Sequence, residues 1–355
     1  MNIVHFITTL DLGGAENQLV ELCSELRIKG HRVSVVYLKG GGYLTNKLEK
    51  LGVEVFSLAD LSFPIQICKA RRILKRQKFQ IVHAHLPRAE ILCRLGVTYE
   101  KMIVSRHNCE PFWPNGASPI STLLSRWVLK RCEHLISISK SVQSYLINTS
   151  EIPSKCKNTV VHYGIRSYLR ESDPKTTFRR QQKIKLLAVG RLVKQKNYEL
   201  MFRSLAETNL TSFELTVCGE GPLEKDLKCL VKELGIESRV NFKGKVESIQ
   251  SEYLRHDVLL HTSDYEGFGF VYLEALNFGL PIISSDNDAA KEILGSDFEG
   301  LFPKGDVFAL ANKLDSLNQT AILVALQSNN AAILSDFSSE RMCEKILNIY
   351  EQAQV

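Results

Sequence analysis

The chain has 355 residues, which is more than a single hydrophobic core usually holds, so two domains are expected. Its 44% hydrophobic and 24% charged residues are typical of a globular protein, and no stretch approaches the roughly 18 to 20 apolar residues that a membrane span needs. Nine cysteines, scattered without CxxC pairs, indicate buried free thiols in a reducing compartment and predict a cytoplasmic protein.

Short apolar runs alternate with helical patterns through the first half of the chain. The first run has no basic residue before it and leads directly into Gly13-Gly14, so it is interpreted as a strand and not as a signal peptide. Strands are predicted over 3–8, 33–38, 53–58, 81–84, 102–105, 135–139 and 159–162, with helices after Gly13-Gly14, over 45–51 and over 65–77. This alternation predicts an α/β domain over 1–167, with a parallel sheet and helices on both of its faces.

A polar and basic stretch without periodic apolar residues follows, and it predicts an interdomain linker over 168–183. The alternation then resumes, with strands predicted over 184–189, 213–218, 240–243, 258–262 and 281–284. A second α/β domain is therefore expected over 184–337. The last segment, 338–355, starts with Ser338-Ser339-Glu340, which is typical of a helix N-terminus.

Charge is distributed unequally between the two halves. Residues 1–165 contain 22 Lys and Arg against 12 Asp and Glu, whereas the rest of the chain contains 23 against 27. Part of the basic excess lies in one predicted helix, at Lys69, Arg71, Arg72, Lys75, Arg76 and Lys78. These side chains either solvate a helix face or attract anionic lipid head groups or a pyrophosphate-linked acceptor. Nucleic acid is not expected as a partner, because the sequence has no nucleic-acid-binding module and no aromatic-basic repeat.

The segment Pro111-Phe112-Trp113-Pro114 places two aromatic residues between prolines on a loop of the basic domain. Three interpretations are open: local packing, a cover over an acceptor, or a shallow anchor in a membrane interface. The basic and aromatic residues over 125–131 favour a membrane contact over a fully soluble acceptor. On that interpretation the side chains of Phe112 and Trp113 are exposed.

Two acids of the second half, Glu266 and Glu274, are eight residues apart. The first lies in a Gly-rich loop directly after a predicted strand, and the second lies in the helix that follows. An open α/β sheet presents functional groups in this way at the carboxyl ends of its strands. Gly267 and Gly269 allow the backbone to approach a ligand closely, so both carboxylates could accept hydrogen bonds from its hydroxyl groups.

Arg191 and Lys196 follow the predicted strand 184–189, at the start of a helix. Fixed positive charge near a helix N-terminus suits a phosphate group, and Lys194 is the nearest competitor to Lys196 for this role. The alternative for Arg191 is an ion pair at the end of the strand. No metal-ligand set is apparent around these residues, so neither a metal nor a cofactor is expected.

Taken together, these motifs resemble retaining glycosyltransferases of family four. The resemblance covers nearly the whole chain in the family's order, and it is carried by Gly13-Gly14-Ala15-Glu16, Gly190-Arg191-Leu192 with Lys196-Asn197, Glu266-Gly267-Phe268-Gly269 with Glu274-Ala275, Gly279-Leu280-Pro281 and Glu292-Ile293. The pair of glutamates together with the Arg-Lys pair is a specific signal. The Gly-Gly loop alone would be a weak one. The loop 286–290 lacks the Gly-Gly that often precedes Glu-Ile, which weakens the prediction of donor-sugar contacts from it.

The resemblance implies the GT-B fold, with two doubly wound Rossmann-like domains, a cleft between them, and a final helix over 338–355 that crosses back to the first domain. It implies sugar transfer from a nucleoside-diphosphate sugar, with UDP favoured as the nucleotide, to a glycan or a lipid-linked carbohydrate. The configuration of the sugar would be retained and no metal would be needed. Such an enzyme of cell-surface polysaccharide biosynthesis is expected in the cytoplasm, peripheral at the inner face of the membrane.

The resemblance also implies roles for individual residues. Glu266 would contact the donor sugar, Glu274 the ribose hydroxyls, and Arg191 and Lys196 the phosphates. The remaining donor contacts are expected from the backbone at Gly13, Gly14, Gly190, Gly219, Gly221, Gly267, Phe268, Gly269, Phe270 and Val271. For Gly219 and Gly221 a simple tight turn is an equal alternative.

Histidines of the first half supply the remaining candidates. By the resemblance His107 contacts the donor sugar or phosphate, with an ordinary core or surface histidine as the alternative. His85 and Arg88 are expected to face the cleft and contact the acceptor, with an ordinary structural role as an equal alternative for each, and Trp113 is the third candidate for an acceptor contact. We expect His83 and His85 to lie on opposite faces of their strand end, so that they do not share a metal.

Two other functions fit part of the same pattern. A sugar-nucleotide epimerase would use a similar two-domain architecture, but it would lack the combination of Arg191, Lys196, Glu266 and Glu274. A non-catalytic subunit that binds nucleotide sugars is disfavoured because every charged position of the motif is filled.

Overall fold

A computed structural model describes residues 1–97, 101–112, 119–166, 183–210, 212–246, 248–317, 322, 326 and 330–354. The chain divides into two compact units. The first unit is Met1–Arg166 together with Phe337–Val355, and the second unit is Ser167–Asp336. Most of the predicted linker, 168–182, lies outside the described residues.

The first unit is built on a seven-stranded parallel sheet with the strand order β3-β2-β1-β4-β5-β6-β7. Its strands are β1 (Asn2–Thr9), β2 (Arg32–Lys39), β3 (Glu54–Ser57), β4 (Ile81–His85), β5 (Lys101–Arg106), β6 (His134–Ser137) and β7 (Lys157–Val160). Its helices are α1 (Gly14–Ile28), α2 (Thr45–Lys50), α3 (Phe63–Gln77), α4 (Pro87–Gly96), α5 (Pro119–Leu129) and α6 (Lys140–Asn148), with the C-terminal helix returning to it. The central strands are apolar and buried because helices cover both faces of the sheet.

The second unit repeats this topology in a six-stranded parallel sheet with the order β10-β9-β8-β11-β12-β13. Its strands are β8 (Ile184–Val189), β9 (Phe213–Cys218), β10 (Val240–Gly244), β11 (Val258–His261), β12 (Ile282–Ser285) and β13 (Leu301–Phe302). Its helices are α7 (Tyr198–Glu207), α8 (Glu224–Glu233), α9 (Gln250–Arg255), α10 (Phe270–Asn277), α11 (Asp288–Leu294), α12 (Val307–Ser316) and α13 (Asn330–Asp336). Both sheets have the doubly wound Rossmann order, which confirms the predicted fold class.

Every strand predicted from the sequence overlaps an observed strand. One observed strand, at the edge of the second sheet, has no predicted counterpart. The two-residue strand β13 was not predicted, because a pair of apolar residues carries no periodicity. It pairs with β12 in parallel and closes that edge. None of the described helices is long and apolar enough to cross a membrane.

The C-terminal helix, α14 (Ser339–Gln354), belongs to the first unit, as the resemblance implied. Ile165 and Ser338 form a parallel bridge, and a side chain at Gly164 would overlap the backbone of Ser338. Tyr350, fully buried in α14, places its hydroxyl 2.7 Å from Nδ1 of His83 in β4. The helix is therefore anchored at its start to the segment after β7 and near its end to β4 of the first sheet.

Candidate active site

In the second unit the strand order reverses between β8 and β11, which lie side by side. Ligands of doubly wound sheets bind at such a switch point, outside the carboxyl ends of the strands. The loop after β8 carries Arg191 and Lys196, and the loop after β11 carries Glu266. The sequence-predicted charged residues therefore lie at the position where this topology forms a crevice.

Hydrogen bonds join these two loops directly. Asn197, in the left-handed conformation at the N-terminus of α7, donates from Nδ2 to Oδ1 of Asp264 over 2.9 Å. Thr262 donates to the carbonyl of Asn197 over 3.0 Å, and Gln195 donates to the carbonyl of Tyr265 over 2.8 Å. The loops consequently hold Lys196 and Glu266 in fixed register, although the two residues are 70 positions apart in the sequence.

Glu266 lies at the centre of a charged cluster. Its Oε1 accepts a short hydrogen bond from Lys196 Nζ and another from His261 Nε2 at 2.8 Å. Ser263 Oγ lies 2.9 Å from the same ring nitrogen, and Tyr272 packs edge-on against the ring. Burial by itself would raise the pKa of Glu266, but the charge of Lys196 and the hydrogen bond from His261 outweigh it. They hold the pKa well below its usual range, so Glu266 is ionised.

Arg191 is exposed at the start of the loop after β8 and has no ion pair within the described part of the chain. The alternative of an ion pair at the strand end is therefore not observed. Its neighbour Gly190 has a φ of +155°, and the carbonyl of Gly190 accepts a hydrogen bond from Tyr198 Oη at 3.0 Å. The guanidinium group is available to a ligand at the switch point.

Gly219 and Gly221 have a packing explanation that the sequence left open. A side chain on Gly219 would overlap the carbonyl of Gly190, and one on Gly221 would overlap the backbone of Leu192. Backbone hydrogen bonds from Gly190 to Cys218 (3.0 Å) and from Leu192 to Glu220 (2.9 Å) hold the two loops together. Close contact between these loops already requires both glycines, whereas their contact with a donor stays a prediction.

Glu274, on α10, accepts a hydrogen bond on Oε2 from the hydroxyl of Tyr253 at 2.8 Å. Tyr253 is fully buried and its ring stacks on Phe278 at a centroid distance of 5.7 Å. Burial raises the pKa of Glu274 to about 7, with the hydrogen bond from Tyr253 acting in the opposite direction. Glu266 and Glu274 therefore differ in ionisation near neutral pH, as expected for groups with different tasks.

The residues 267–271 form the turn that starts α10. Gly269 has a φ of +81°, where a side chain would also overlap the ring of Tyr272, so only glycine fits. Phe268 and Val271 are buried, and Phe270 is partly exposed at the first helical position. The N-terminus of a helix carries a partial positive charge, which suits an anion at this turn.

The loop between β12 and α11 carries the departure from the family pattern. Asp286 forms a 3.0 Å ion pair with Lys291, and Asn287 caps α11 through a 2.9 Å bond from the amide of Ala290. Asn287 also donates to the carbonyl of Ser263 over 3.2 Å, which ties this loop to the one that carries Glu266.

In the first unit the corresponding switch point lies between β1 and β4. Three buried histidines are linked there by contacts between their ring nitrogens. Nδ1 of His5 lies 3.0 Å from Nε2 of His85, and Nδ1 of His85 lies 3.2 Å from Nε2 of His107. His107 makes a short hydrogen bond to the hydroxyl of Tyr163. Burial lowers the pKa of His107 to about 3, with the charge of Arg106 acting in the same direction. His5, His85 and His107 are therefore neutral at physiological pH.

The prediction that His83 and His85 lie on opposite faces was wrong. Residues two positions apart in a strand share a face, and the two rings lie 4.1 Å apart between centroids. One ring nitrogen from each of His5, His83 and His85 lies within 4.8 Å of the others, a spacing that could hold a metal ion. Both nitrogens of His83, however, already lie 2.7 Å from the hydroxyls of Tyr350 and Ser105. Hydrogen bonds within the protein therefore account for most of the ring nitrogens of these three histidines.

Gly13 and Gly14 lie where β1 turns into α1. A side chain at Gly14 would meet nothing within 4 Å, whereas one at Gly13 would overlap the carboxylate of Glu16. That carboxylate accepts a 2.5 Å hydrogen bond from the hydroxyl of Thr9. The space before Gly14 is therefore open to a ligand, and Glu16 fills the space beside Gly13.

Two of the three predicted acceptor contacts, His85 and Arg88, have different surroundings. His85 is buried between His5 and His107, whereas Arg88 points to α3, where it donates to Gln66 over 3.2 Å and lies over the ring of Phe63 at 4.7 Å. Trp113 lies outside the described residues.

The expectation that Phe112 is exposed was wrong. Its side chain is 2% exposed and packs under the guanidinium of Arg106, which lies 4.4 Å from the ring centroid. Arg106 is itself buried between Glu90 and Glu151, at 2.9 and 3.0 Å. Phe112 is therefore a core residue that packs against a buried ionic cluster, and it does not anchor a membrane contact.

Sequence reasoning missed His261, Tyr253, His5 and Tyr163. Each contacts a predicted site residue through a side chain that is distant in the sequence or, for His261, is five residues away at the end of β11. A polar residue at the end of a buried strand was the available signal for His261. No signal in the sequence pairs the other three with their partners.

Comparisons with known proteins agree with this architecture. Residues 12–167 match the family model described as Glycosyltransferase Family 4, and residues 170–332 match the one described as Glycosyl transferases group 1. The chain is 27% identical over 371 residues to a GalNAc-α-(1→4)-GalNAc-α-(1→3)-diNAcBac-PP-undecaprenol α-1,4-N-acetyl-D-galactosaminyltransferase of Campylobacter jejuni, covering 100% of this chain and 99% of that protein. It is 24% identical to the phosphatidylinositol N-acetylglucosaminyltransferase GPI3 subunit of Saccharomyces cerevisiae, over 91% of this chain and 72% of that protein.

Solved structures share the fold over the whole chain. Anabaena Alr3699/HepE, solved in complex with UDP and glucose, superposes with a TM-score of 0.84 at 20% identity, covering 99% of this chain and all of that one. Sucrose-phosphate synthase from Thermosynechococcus elongatus gives 0.81 at 17% identity, covering 99% of both chains. With two glycosyltransferase models matched in this order on two doubly wound sheets, the chain is a glycosyltransferase of the GT-B type.

Proposed function

We propose that this glycosyltransferase is a retaining, metal-independent enzyme of family four. It transfers a sugar from a UDP-linked donor to a glycan or lipid-linked carbohydrate in cell-surface polysaccharide biosynthesis. It acts in the cytoplasm, peripheral at the inner face of the membrane. The observation that carries the proposal is the cluster of Lys196, His261 and Glu266 beside the exposed Arg191, at the switch point of the second unit.

The charges of this cluster suit the departure of a nucleoside diphosphate. The leaving group gains negative charge as the bond to the sugar breaks, and preorganised cations lower the energy of that state. Arg191 and Lys196 supply two such charges, and the N-terminus of α10 adds the partial positive charge of its helix dipole. Because these groups can neutralise the diphosphate, the proposed mechanism needs no metal. Glu266, held ionised, faces the positive charge that develops on the sugar ring.

The choice of donor and acceptor is supported by the similar proteins. A structural neighbour was solved with UDP and glucose, which favours UDP as the nucleotide. The relative from Campylobacter jejuni acts on a sugar carried by PP-undecaprenol, and the yeast relative is a phosphatidylinositol N-acetylglucosaminyltransferase subunit. Both names favour an acceptor that is linked to a lipid. Glu274, on α10, is then the group that accepts hydrogen bonds from the ribose.

The test is binding of UDP and UDP-sugars to the purified protein, measured by protection against unfolding and by calorimetry. A ligand at 100 times its dissociation constant should add about 2.7 kcal/mol to the free energy of unfolding. Arg191→Ala should weaken UDP binding and lower sugar transfer by about 100-fold. Lys194→Ala, at an exposed lysine three residues away, is the matched control and should behave like the parent. Equal transfer by Arg191→Ala and the parent would contradict the assignment.

Metal independence has its own test. Transfer from the preferred UDP-sugar should survive excess EDTA, because Arg191 and Lys196 meet the phosphate charge. Loss of transfer in EDTA with recovery in manganese would overturn this part of the proposal and leave the donor assignment standing.

A further inference from the structure

Two cysteines of the first unit precede neighbouring strands of its sheet. Cys132 lies two positions before β6 begins, and Cys156 lies immediately before β7. The two strands run parallel with His134 opposite Lys157, so both cysteines are at the same edge of the sheet and one position out of register. Such an offset between adjacent strands corresponds to about 6 Å between Cα atoms, which lies within the range that a disulfide spans.

Backbone contacts hold both cysteines in place. The amide of Cys132 donates to the carbonyl of Leu129 at the end of α5 over 3.1 Å, and its sulfur lies 2.8 Å from the carbonyl oxygen of His134. The amide of Cys156 donates to the carbonyl of Pro153 over 2.9 Å, in the turn before β7. The two side chains also share a hydrogen bond. The folded chain therefore already holds the two thiols side by side.

The two thiols differ in exposure and in ionisation. Cys132 is 9% exposed, and burial raises the pKa of its thiol well above the usual range. Cys156 is partly exposed. The hydrogen bond from Cys132 lowers the pKa of the Cys156 thiol, the charge of Arg106 acts in the same direction, and burial opposes both. An accessible thiolate beside a buried thiol is the arrangement of an attacking and a resolving cysteine.

A second pair of cysteines shows what contact without access looks like. Burial raises the pKa of Cys23 on α1, and the proximity of Cys343 on α14 acts in the same direction. Both side chains are fully buried, so a reagent in solution reaches neither sulfur. Contact and access are combined at Cys132 and Cys156.

We propose that Cys132 and Cys156 form a redox modification site, at which a small-molecule disulfide oxidises the two thiols to an internal disulfide. The site belongs to the first unit and requires nothing of the nucleotide site. The crosslink fastens β7, an edge strand of the sheet, to β6. In a reducing compartment the disulfide is transient, because small thiols reverse its formation.

The reaction has two exchange steps. The thiolate of Cys156 attacks one sulfur of the small disulfide, so that a mixed disulfide forms and one small thiolate leaves with the electron pair. The sulfur of Cys132 then attacks Sγ of Cys156, and the second small thiol leaves with the proton of Cys132. The first leaving thiolate takes up a proton from solvent, which replaces the proton that Cys156 released. Two protein thiols are oxidised, and one small disulfide is reduced to two thiols.

Peptide mapping without reduction, after incubation of the folded full chain with oxidised glutathione, tests the proposal. The main internal disulfide should join Cys132 to Cys156, whereas the exposed Cys229 should carry glutathione and Cys23 and Cys343 should stay reduced. In concentrated urea several pairings should form, because the strand register that selects the pair is lost. A parent that carries glutathione on Cys156 without the crosslink, or that joins Cys156 to another cysteine, would overturn the proposal.

Serine variants identify the attacking and the resolving thiol. In Cys132→Ser the mixed disulfide on Cys156 should accumulate about tenfold above the parent, because no neighbouring thiol displaces glutathione. In Cys156→Ser the buried Cys132 should stay reduced. Cys229→Ser, at an exposed cysteine of α8, is the matched control and should form the internal disulfide like the parent.

Urea unfolding, followed by tryptophan fluorescence, reports whether each variant is folded. If Cys132→Ser fails to fold, Cys132→Ala takes its place, and the mapping of the parent decides the proposal by itself. Equal accumulation of the mixed disulfide in the parent and in a folded Cys132 variant would show that Cys132 does not resolve it, and would overturn the proposal.

Discussion

Glu266 shows how one residue acquires its properties from neighbours. A buried carboxylate should have a raised pKa, yet Lys196 and His261 both donate to the same oxygen and reverse the direction of the shift. Because a carboxylate only accepts, the hydrogen of His261 is on Nε2 when it contacts Glu266. His261 is therefore a positioning residue for Glu266.

Replacement of His261 tests that role. His261→Leu removes a donor from Glu266 without large loss of volume, so the carboxylate should be oriented less well and kcat should fall about tenfold. Affinity for UDP should stay at the parent value. His261→Gln retains an N–H donor and should recover most of the activity. A Leu variant with the parent kcat, in a protein where Glu266→Gln is impaired, would show that His261 has no positioning role.

Glu274 gives a prediction for pH. With its pKa raised to about 7 by burial, this carboxyl group is partly protonated at neutral pH. If the ionised form accepts hydrogen bonds from ribose, binding favours proton release, so affinity should rise with pH. Between pH 6 and pH 8 the gain is about tenfold. UDP-glucose is the appropriate ligand for calorimetry, because the terminal phosphate of UDP titrates near pH 6.

In Glu274→Gln the affinity for UDP-glucose should no longer depend on pH, and it should be low at every pH between about 6 and 8. Glu266→Gln should leave UDP affinity nearly unchanged and lower kcat, because its predicted contact is with the reacting sugar. Equal loss of UDP affinity in the two variants would contradict the division of tasks between the two glutamates.

At the scale of elements, the contacts between loops and the return of α14 organise the two units. The loops after β8 and β11 are joined by Asn197, Thr262 and Gln195, and this pairing brings a lysine and a glutamate together at the switch point. In the first unit, α14 covers the histidine face of the sheet and completes the hydrogen bonding of His83.

Tyr350→Phe tests the attachment of α14. The change removes only a hydroxyl, but it leaves Nδ1 of the fully buried His83 without that partner. An unsatisfied buried polar atom costs about 1 to 3 kcal/mol, so the free energy of unfolding should fall by that amount. Tyr43→Phe, at a tyrosine that is 67% exposed, is the control and should change stability little. Urea unfolding of the three proteins distinguishes these outcomes, and equal midpoints would contradict the anchoring role.

At the scale of the whole molecule, the four linked histidines at the switch point of the first unit, His5, His83, His85 and His107, make it sensitive to acid. Burial lowers the pKa of His5 and of His107 to about 3, and it lowers those of His83 and His85 well below the ordinary value. The unfolded chain binds protons near pH 6.5 while the folded unit does not. The contribution of these histidines to the free energy of unfolding is therefore fully present above pH 6.5 and is lost as the pH falls below it.

Each such histidine removes about 1.4 kcal/mol of stability per pH unit below pH 6. Two carboxyl groups of the first unit act in the opposite sense, because burial raises the pKa of Glu90 to about 7 and also raises the pKa of Glu21, but they are two groups against four. Both tryptophans belong to residues 1–166, so their fluorescence during urea unfolding at pH 7.5 and pH 5.5 reports on the first unit. His5→Asn should reduce the slope of the free energy of unfolding against pH by about the contribution of one histidine. His162→Gln, at a partly exposed site, should leave this slope unchanged. Equal stability of the parent at both pH values would refute this account.

The sequence by itself determined the two-unit α/β fold and most of the charged residues of the candidate site. Apolar runs separated by helical patterns encode parallel strands locally, and right-handed crossovers then leave few possible topologies. Arg191, Lys196 and Glu266 could be located because each follows a strand at the end where such sheets bind ligands. Their order along the chain was enough for the resemblance to be recognised.

Only the tertiary structure decided which side chains meet. His261 and Lys196 share one oxygen of Glu266 because β8 and β11 are neighbours, a relation that no local pattern states. The burial of Phe112 and the single face shared by His83 and His85 likewise depend on what covers the sheet. Periodicity specifies which face of an element is apolar, whereas the partner on that face is set by packing between elements that are distant in the sequence.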